Sequence, residues 1–519
     1  MAAVFDVQDP IPEGSTDDAV KECMKEPDVT LVIVPRERFS VTERALKNVY
    51  EHTTYPFKLV YVSGGTTNRF KSYLENESRR KHFQFIHTDR YLSPNQARNL
   101  AMRHVKSKYV VFLENDVLVT PGWLEALVGC AEETGAWLVG PLYLIGEPEL
   151  QTIHMAGGTL NMLEHEGKRI LHDEHRFVDT PISELTAPLE RGACDYVEFH
   201  CMLVRTEVFE RLGPLDEELL SIHEHIDLAI AVARNGGSVY VEPKAVTTYI
   251  PPPPSEWYDL PFIMIRWGDA WNLASVGHFR KKWNVSGLRF FNDTADLGLE
   301  DTIIRWARAH RRLSTGLHFS SKAVADQPLA PLEEAELLIA IFSSVDRDTF
   351  DFVLTDEDGH EGESATAVSL PALIERLPQL VEVDNLNVAI QPIAREVANT
   401  PALIRLDDLD ADEVDEILPY AFLTLEVAPQ NYQCWLAIAK VKGQSTAALG
   451  RILGITESMN TANGAVRLAG SRNVSQEVRQ ADGSYPRVKL VEARPGLLNT
   501  VKHLENDGVT RSLAHGHIS

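Results

Sequence analysis

Short apolar runs alternate with amphipathic segments along the first half of the chain. Four runs of five or six mainly apolar residues lie at 29–34, 59–63, 83–87 and 109–113. Consecutive apolar positions are typical of strands that are covered on both faces, so these runs predict a parallel sheet. The segment 40–51 between the first two runs has apolar side chains at helical spacing, and Ser93-Pro94 has the pattern of a helix start. Alternation of strands and helices predicts an α/β layered domain.

The second half of the chain, after residue 292, has a different pattern. A helix with a basic flank is predicted at 297–313, and a polar, proline-containing connection follows it. A second globular pattern begins near residue 333, whereas both chain ends are polar enough to be loosely ordered. The predicted organisation is a flexible segment at 1–27, an α/β domain at 28–292, a helix and linker at 293–332, an α+β domain at 333–500 and a flexible tail at 501–519.

Elements of the second globular pattern follow from the same rules. Helices are predicted where apolar positions recur at helical spacing, and strands where short β-rich runs are bounded by turn residues. The helices are expected at 333–343 and 369–377, an acidic turn at 356–363, and strands at 349–354, 387–392, 403–406, 422–427 and 488–492.

Charge and length narrow the classes of function. The chain has 519 residues and a formal charge of −25, of which residues from 333 onward contribute −14 (15 basic against 29 acidic) and the rest −11 (35 against 46). Such acidity disfavours general binding to nucleic acids or anionic membranes, because both need clustered Lys and Arg. No apolar run approaches the roughly 18 residues of a membrane span, and the first residues lack a secretory signal. We therefore expect a cytoplasmic protein without a membrane span.

Acidic residues follow the fourth predicted strand directly, in the sequence Glu114-Asn115-Asp116. The carboxyl ends of parallel strands form the crevice in which α/β folds bind ligands. A hard cation such as Mg²⁺ or Mn²⁺, bound together with a diphosphate, needs one or two carboxylates there. A solvated acidic turn is the alternative interpretation of this tripeptide.

Seven segments, in order, resemble the family 2 glycosyltransferases of GT-A fold. They are VTLVIVPRERFSVTERALKNVYEHT, LVYVSGG, NQARN, YVVFLENDVLVTPGWLEAL, CDYVEFHCMLVRTEVFERLGPLDEEL, HEHIDLAIAVARNGGSVYVEP and HFRKKWNV, and together they cover roughly residues 29–285. The resemblance implies an enzyme that moves a sugar from a nucleotide-diphosphate donor to an acceptor hydroxyl, inverting and dependent on Mn²⁺ or Mg²⁺. A non-catalytic sugar- or nucleotide-binding protein is the alternative.

The resemblance also implies roles for residues at the ends of the strands. Asp116 would bind the metal, and Glu114 would face the ribose or the metal's surroundings. The aspartate that usually contacts uracil is absent from Ser63-Gly64-Gly65. The base of the donor nucleotide is therefore left undecided between uracil and another base. The remaining residues expected near the nucleotide are Pro35, Glu37, Ser63, Arg98 and Asn99.

The general base is implied by a helix start that reads Glu224-His225-Ile226-Asp227-Leu228. His225 occupies the position at which the family normally has an aspartate, and a neutral imidazole can accept the acceptor's proton. Glu224 is the alternative base, and Asp227 is either catalytic or a charge that the helix dipole favours. The family's final metal-binding histidine is missing after the last strand, so His154 or His278 could replace it only if the fold brings one of them close.

A fainter resemblance covers the second half, roughly residues 333–496. The phrases LIRLDDLD, FLTLEVAPQNYQCWLAI, GAVRLAGSRNVS and PRVKLVEARPG are similar to replication-protein-like primase domains of the archaeo-eukaryotic primase superfamily. The resemblance places a second metal site at Asp407 and Asp408, but Gln433 stands where a histidine is usual. We expect an inactive domain that binds a primer-template weakly and does not extend it, so nucleic acid is an unlikely partner. A nucleic-acid enzyme centred on this pair is the alternative.

Overall fold

The computed structural model of the protein describes residues 27–165, 167–251, 255–290, 299–313, 316–323, 328–393, 400–439 and 465–506. The chain divides into two compact units, one of Met1–Pro251 with Asn272–Thr302 and one of Pro252–Trp271 with Ile303–Ser519. This division differs from the predicted boundaries, because Pro252–Trp271 belongs to the second unit. The predicted flexible segment at 1–27 lies almost wholly outside the described residues. Of the predicted tail, Val501–Asn506 form a helix and the remainder lies outside them.

The first unit is built on a mixed sheet with the strand order β10-β7-β6-β12-β4-β1-β2-β3, to which β5, β11 and β13 are attached. A smaller sheet has the order β14-β9-β8. The strands are β1 (Val29–Val34), β2 (Lys58–Gly64), β3 (Gln84–Thr88), β4 (Tyr109–Glu114), β5 (Val117–Val119), β6 (Leu138–Ile145), β7 (Thr152–Met155), β8 (Gly158–His165), β9 (Lys168–His175), β10 (Thr180–Pro181), β11 (Gly192–Cys194), β12 (Cys201–Arg205), β13 (Val239–Tyr249) and β14 (Gly287–Phe290).

The centre of the large sheet is parallel, as the apolar runs predict. Strand β1 pairs with β2 on one side and β4 on the other, and every residue of β1 and of β4 is buried. The register sets Val34 opposite Glu114, so both strands end at the same edge of the sheet. That edge positions the loop after β1 beside the acidic residues after β4.

Helices cover the sheet where amphipathic segments are predicted. The predicted start at Ser93-Pro94 is confirmed, because Ser93 and Gln96 cap the helix reciprocally and Pro94 occupies its first turn. The helices of the described residues are α1 (Thr42–His52), α2 (Asn68–Lys81), α3 (Pro94–Met102), α4 (Trp123–Thr134), α5 (Glu207–Leu212), α6 (Glu224–Arg234), α7 (Leu260–Arg266), α8 (Asp269–Trp283), α9 (Leu299–Leu313), α10 (Pro331–Ser343), α11 (Leu370–Val381), α12 (Ala411–Ile417) and α13 (Val501–Asn506). None of them is both long and apolar enough to cross a bilayer.

The second unit contains two antiparallel sheets and a buried helix. The sheets have the orders β15-β23-β20-β21-β19 and β17-β16-β18-β22, and from Leu337 to Ser343 every residue of α10 is buried. The predicted acidic turn is shorter than expected, because its last residues begin a strand. The strands are β15 (Phe319–Ser320), β16 (Thr349–Thr355), β17 (Glu361–Ser369), β18 (Asn387–Ile393), β19 (Ala402–Leu409), β20 (Leu423–Ala428), β21 (Asn431–Ile438), β22 (Val466–Arg467) and β23 (Lys489–Ala493).

Candidate active site

Glu114, the last residue of β4, is the centre of a buried ion-pair network. Its carboxylate lies 3.0 Å from Arg98 Nη2, 3.6 Å from Arg36 Nε and 2.7 Å from His200 Nδ1. Burial opposes its ionisation, but the neighbouring Arg36, His200 and Arg98 outweigh burial and lower the pKa of Glu114 to about 2. Glu114 is therefore a permanent carboxylate whose charge is already compensated by the protein.

Asp116, two residues further on, has the opposite environment. It is fully buried, and neither carboxylate oxygen has a hydrogen-bond partner among the described residues. Burial together with the charges of Glu114 and Glu37 raises the pKa of Asp116 to about 8. A buried carboxylate without a partner is costly unless a cation or donor reaches it. The two oxygens of Asp116 thus fit the ligand set that Mg²⁺ or Mn²⁺ requires.

The loop after β1 supplies the surroundings of Asp116. Tyr249, at the end of β13, donates a hydrogen bond of 2.6 Å to Glu37, and the side-chain amide of Asn115 donates to the Arg38 carbonyl at 2.7 Å. Pro35 and Glu37 are buried at this edge. The predicted nucleotide-contacting residues of the loop therefore lie with the predicted metal-binding residue.

Arg98 and Asn99 face different partners, although they are neighbours on α3. Arg98 is fully buried, binds Glu114 and lies 3.8 Å over the ring of Phe199, so it is not a surface charge. Asn99 donates to the Leu215 carbonyl at 2.8 Å and accepts from the Leu215 amide at 3.0 Å. Asn99 thus anchors the turn before α6, and its predicted contact with the nucleotide stays a prediction.

At the start of α6, the predicted catalytic residues His225 and Asp227 have different surroundings, and Glu224 is buried. His225 Nε2 lies 4.0 Å from an oxygen of Glu198, and the imidazole is 19% exposed. Burial lowers the pKa of His225 in spite of the nearby Glu198 and Glu224, which favours the neutral ring. Asp227 instead accepts hydrogen bonds from Trp283 Nε1 at 2.8 Å and Lys282 Nζ at 2.9 Å. Its carboxylate ties α6 to the end of α8.

Comparison with known proteins identifies the first unit. The model of Glycosyl transferase family 2 matches residues 30–213. Residues 30–213 form a family 2 glycosyltransferase domain. The O-antigen biosynthesis protein RfbC of Myxococcus xanthus is 25% identical over 221 residues, which are 40% of this chain and 16% of that protein. The matched part is thus a small fraction of that relative.

Solved structures match this chain only at low similarity. The crystal structure of GalNAc-T7 with UDP, GalNAc and Mn²⁺ matches 50% of this chain and 55% of its own, with 15% identity and a TM-score of 0.35. The crystal structure of primase RepB' matches 36% of this chain and 65% of its own, with 20% identity and a TM-score of 0.27. The sequence match, rather than either structure, establishes the family of the glycosyltransferase domain.

The glycosyltransferase domain departs from its family at the end of β2, where the sequence has Ser63-Gly64-Gly65. A Cβ atom on Gly64 would lie 2.6 Å from the Arg90 carbonyl oxygen, and Gly65 has a φ of +65° against the ring of Tyr91. Both positions therefore require glycine in this backbone. The Ser63 hydroxyl is buried and has no hydrogen-bond partner among the described residues. It remains a predicted contact of the nucleotide.

The convergence of four histidines on Glu198 is the feature of the glycosyltransferase domain that sequence analysis missed, although it names His154 and His225 singly. Glu198 lies 2.9 Å from His154 Nε2, 3.4 Å from His175 Nε2 and 3.5 Å from His200 Nε2, in addition to its contact with His225. Because His200 also binds Glu114, this cluster continues from the strand-end acids. The signal in the sequence was Glu198 and His200 at alternate positions directly before the apolar strand β12.

The second predicted metal site lies in the second unit, at the end of β19. Asp407 accepts hydrogen bonds from Gln433 Nε2 at 2.5 Å and from Arg405 Nε at 2.7 Å, one on each oxygen. Asp408 has a φ of +56° and accepts from Asn431 Nδ2 at 3.2 Å. Both carboxylates thus have protein partners, unlike Asp116. Gln433, in the position usual for a histidine, is one of those partners.

Proposed function

We propose that the glycosyltransferase domain moves a sugar from a nucleoside-diphosphate donor to an acceptor hydroxyl, with inversion and with a requirement for Mn²⁺ or Mg²⁺. The observation that carries this proposal is Asp116, a fully buried carboxylate with neither oxygen partnered, at the ligand-binding edge of a family 2 domain. Asp116 would hold the cation, which when bound offsets the charge of the leaving diphosphate.

The other residues of this edge prepare the site for that charge. Arg36 and Arg98 compensate the charge of Glu114, so the carboxyl group of Asp116 is the one left for a cation. Glu37 is fixed by the hydroxyl of Tyr249 and adds negative potential at the same place. An arrangement that is rigid before the donor binds needs no reorganisation when the diphosphate leaves.

His225 is the proposed general base. It lies at the start of α6, 4.0 Å from Glu198, and its imidazole is partly exposed, so an acceptor can reach its ring. Glu198 lies at a distance from which it can orient the imidazole and stabilise the imidazolium that forms on proton transfer. Asp227 is proposed as a positioning residue, because its two oxygens are bound to Lys282 and Trp283.

Donor turnover tests the proposal. Purified protein is incubated with a panel of UDP- and GDP-sugars and Mn²⁺, and release of nucleoside diphosphate is measured with water or simple sugars as acceptor. We expect Asp116→Asn to abolish release, and His225→Ala to lower turnover by about a hundredfold or more with little effect on donor binding. His225→Asp restores the residue usual in the family and should retain turnover.

Two results would contradict parts of this proposal. Full turnover by His225→Ala together with inactive Glu224→Gln would assign the base to Glu224 instead. Donor binding without turnover, in the wild type and in His225→Ala and His225→Asp across the panel, would make the domain a sugar-nucleotide binding protein.

A primase-like fold without catalysis is our proposal for the second unit, with the predicted span 333–500. The support is the hydrogen bonding of Asp407 by Gln433 and Arg405, which leaves neither oxygen without a protein partner. Catalytic metal sites need accessible carboxylate oxygens. The unit then serves recognition or structure.

A further inference from the structure

Three side chains from three different segments of the glycosyltransferase domain converge, and the proposed transfer uses only one of them, Glu198. They are His154 on β7, His175 at the end of β9 and Glu198 in the segment before β12. One ligand atom from each lies within 4.8 Å of the other two. The side chains of His154, His175 and Glu198 are 18%, 4% and 12% exposed, so the group lies just under the surface.

We propose that His154, His175 and Glu198 form a binding site for a divalent transition-metal ion, distinct from the cation site at Asp116. Two imidazole nitrogens and one carboxylate oxygen are a common ligand set of Zn²⁺ and related ions. His225, 4.0 Å from Glu198, lies beside this group, but as the proposed general base it is not counted among the ligands.

The backbone of the site is held in place by the protein. The Tyr143 hydroxyl donates to the Cys201 carbonyl at 2.7 Å and accepts from the Glu198 amide at 3.1 Å, which fixes the segment before β12. Ligand atoms around a tetrahedral Zn²⁺ lie roughly 3.3 Å apart. Side-chain rotations that move the ring nitrogens of His154 and His175 by on the order of an ångström would therefore bring the ligand atoms to this spacing. The backbone of Glu198 would not have to move.

The Asp116 site and the site of His154, His175 and Glu198 have different ligand atoms and therefore prefer different ions. Asp116 offers oxygen alone, which suits Mg²⁺ and Mn²⁺, whereas the histidine site offers mainly nitrogen and prefers Zn²⁺ or Co²⁺. An ion on His154, His175 and Glu198 would link β7 and β9 to the segment before β12. It would also hold Glu198 opposite His225.

Metal titration of the full chain tests this site without reference to activity. Protein treated with EDTA and then dialysed is titrated calorimetrically with Zn²⁺ in millimolar Mg²⁺, and with Co²⁺ while visible absorption is recorded. We expect one Zn²⁺ per chain and d–d bands typical of nitrogen coordination. His154→Ala with His175→Ala should weaken Zn²⁺ binding at least about a hundredfold and remove the bands.

Two controls distinguish this site from others on the chain. Asp116→Asn should leave the Zn²⁺ affinity and the Co²⁺ bands unchanged. His360→Ala alters a second group, Asp356, Asp358 and His360, whose ligand atoms also lie within 4.8 Å of one another. This variant should also leave the Zn²⁺ affinity and the Co²⁺ bands unchanged.

Glu198→Gln, which keeps the shape of the side chain, should weaken Zn²⁺ binding even if the double histidine variant unfolds. The site is refuted if the wild type does not bind Zn²⁺, if binding persists in Glu198→Gln, or if only His360→Ala removes it.

Discussion

Asp116 combines a functional advantage with a cost to stability. Its carboxylate is buried next to Glu114 and Glu37, and among the described residues no donor reaches its oxygens. Burying a charge without compensation opposes folding. Protein without metal therefore carries the cost, and a bound cation relieves it.

Removing this charge should stabilise the metal-free protein. In the presence of EDTA at pH 7.5, Asp116→Asn should raise the free energy of unfolding by roughly 1 kcal/mol or more, because Asp116, with its pKa raised to about 8, must take up a proton on folding that an amide does not need. Thermal unfolding measures the change. Asp415→Asn, at an exposed position on α12, is the control and should have almost no effect. A lower melting temperature for Asp116→Asn would show that the Asp116 charge is compensated.

Local sequence was sufficient to predict the strand-end acids, because a strand and the residues after it are neighbours in the chain. Glu114 and Asp116 lie together with Pro35 and Glu37, as the family resemblance implied. The group of His154, His175 and Glu198 could not be predicted in the same way. Its members come from separate segments, and only pairing of β7 with β6 and folding of the β8–β9 hairpin bring them together.

At the scale of elements, the predicted basic flank of α9 takes part in buried ion pairs. The basic flank of α9 was predicted from its arginines, but Arg308 and Arg311 are buried. Arg311 Nη2 lies 3.2 Å from Asp269, and Arg308 Nε lies 3.4 Å from Asp346. Strands and helices could be predicted from apolar periodicity. The partners of these arginines could not, since they depend on contacts between distant parts of the second unit.

Helices α6 and α8 are joined by Asp227, and this connection gives a stability prediction. Lys282→Met removes one of the two partners of Asp227 and should lower the free energy of unfolding by about 1 kcal/mol, since Lys282 is partly exposed to solvent. A fall in melting temperature of about 2 to 4 °C is expected for a unit of this size.

Lys281 provides the matched control, because it lies on the same turn of α8 and is exposed. Lys281→Met should leave the melting temperature almost unchanged. If both lysine variants unfold at the same temperature, the connection between Lys282 and Asp227 does not stabilise the domain.

At the scale of the whole molecule, the chain joins a glycosyltransferase domain to a second unit of different fold, and both are acidic. Residues from 333 onward contribute −14 to the formal charge of −25. Nucleic-acid binding depends on phosphate contacts by Lys and Arg, which this balance disfavours. The acidity of the second unit and the hydrogen bonds to Asp407 both predict that this unit does not synthesise nucleic acid.

That prediction is an absence of template-directed synthesis. The full chain, incubated with a primer annealed to its template, nucleoside triphosphates and Mn²⁺, should give no extended product on a denaturing gel. The variant that combines Asp407→Ala and Asp408→Ala should behave in the same way as the wild type. Extension by the wild type that disappears in the double variant would establish a working primase site.

The central claim is that Asp116 binds a cation together with a nucleoside diphosphate, and calorimetry tests it most directly. UDP and GDP are each titrated into wild type, Asp116→Asn and the control Asp415→Asn, with and without Mn²⁺. Binding of one of these nucleotides should require Mn²⁺ in the wild type and in Asp415→Asn, and should weaken at least about a hundredfold in Asp116→Asn, because the cation loses its buried carboxylate. Equal affinity and equal Mn²⁺ dependence in wild type and Asp116→Asn would contradict the claim.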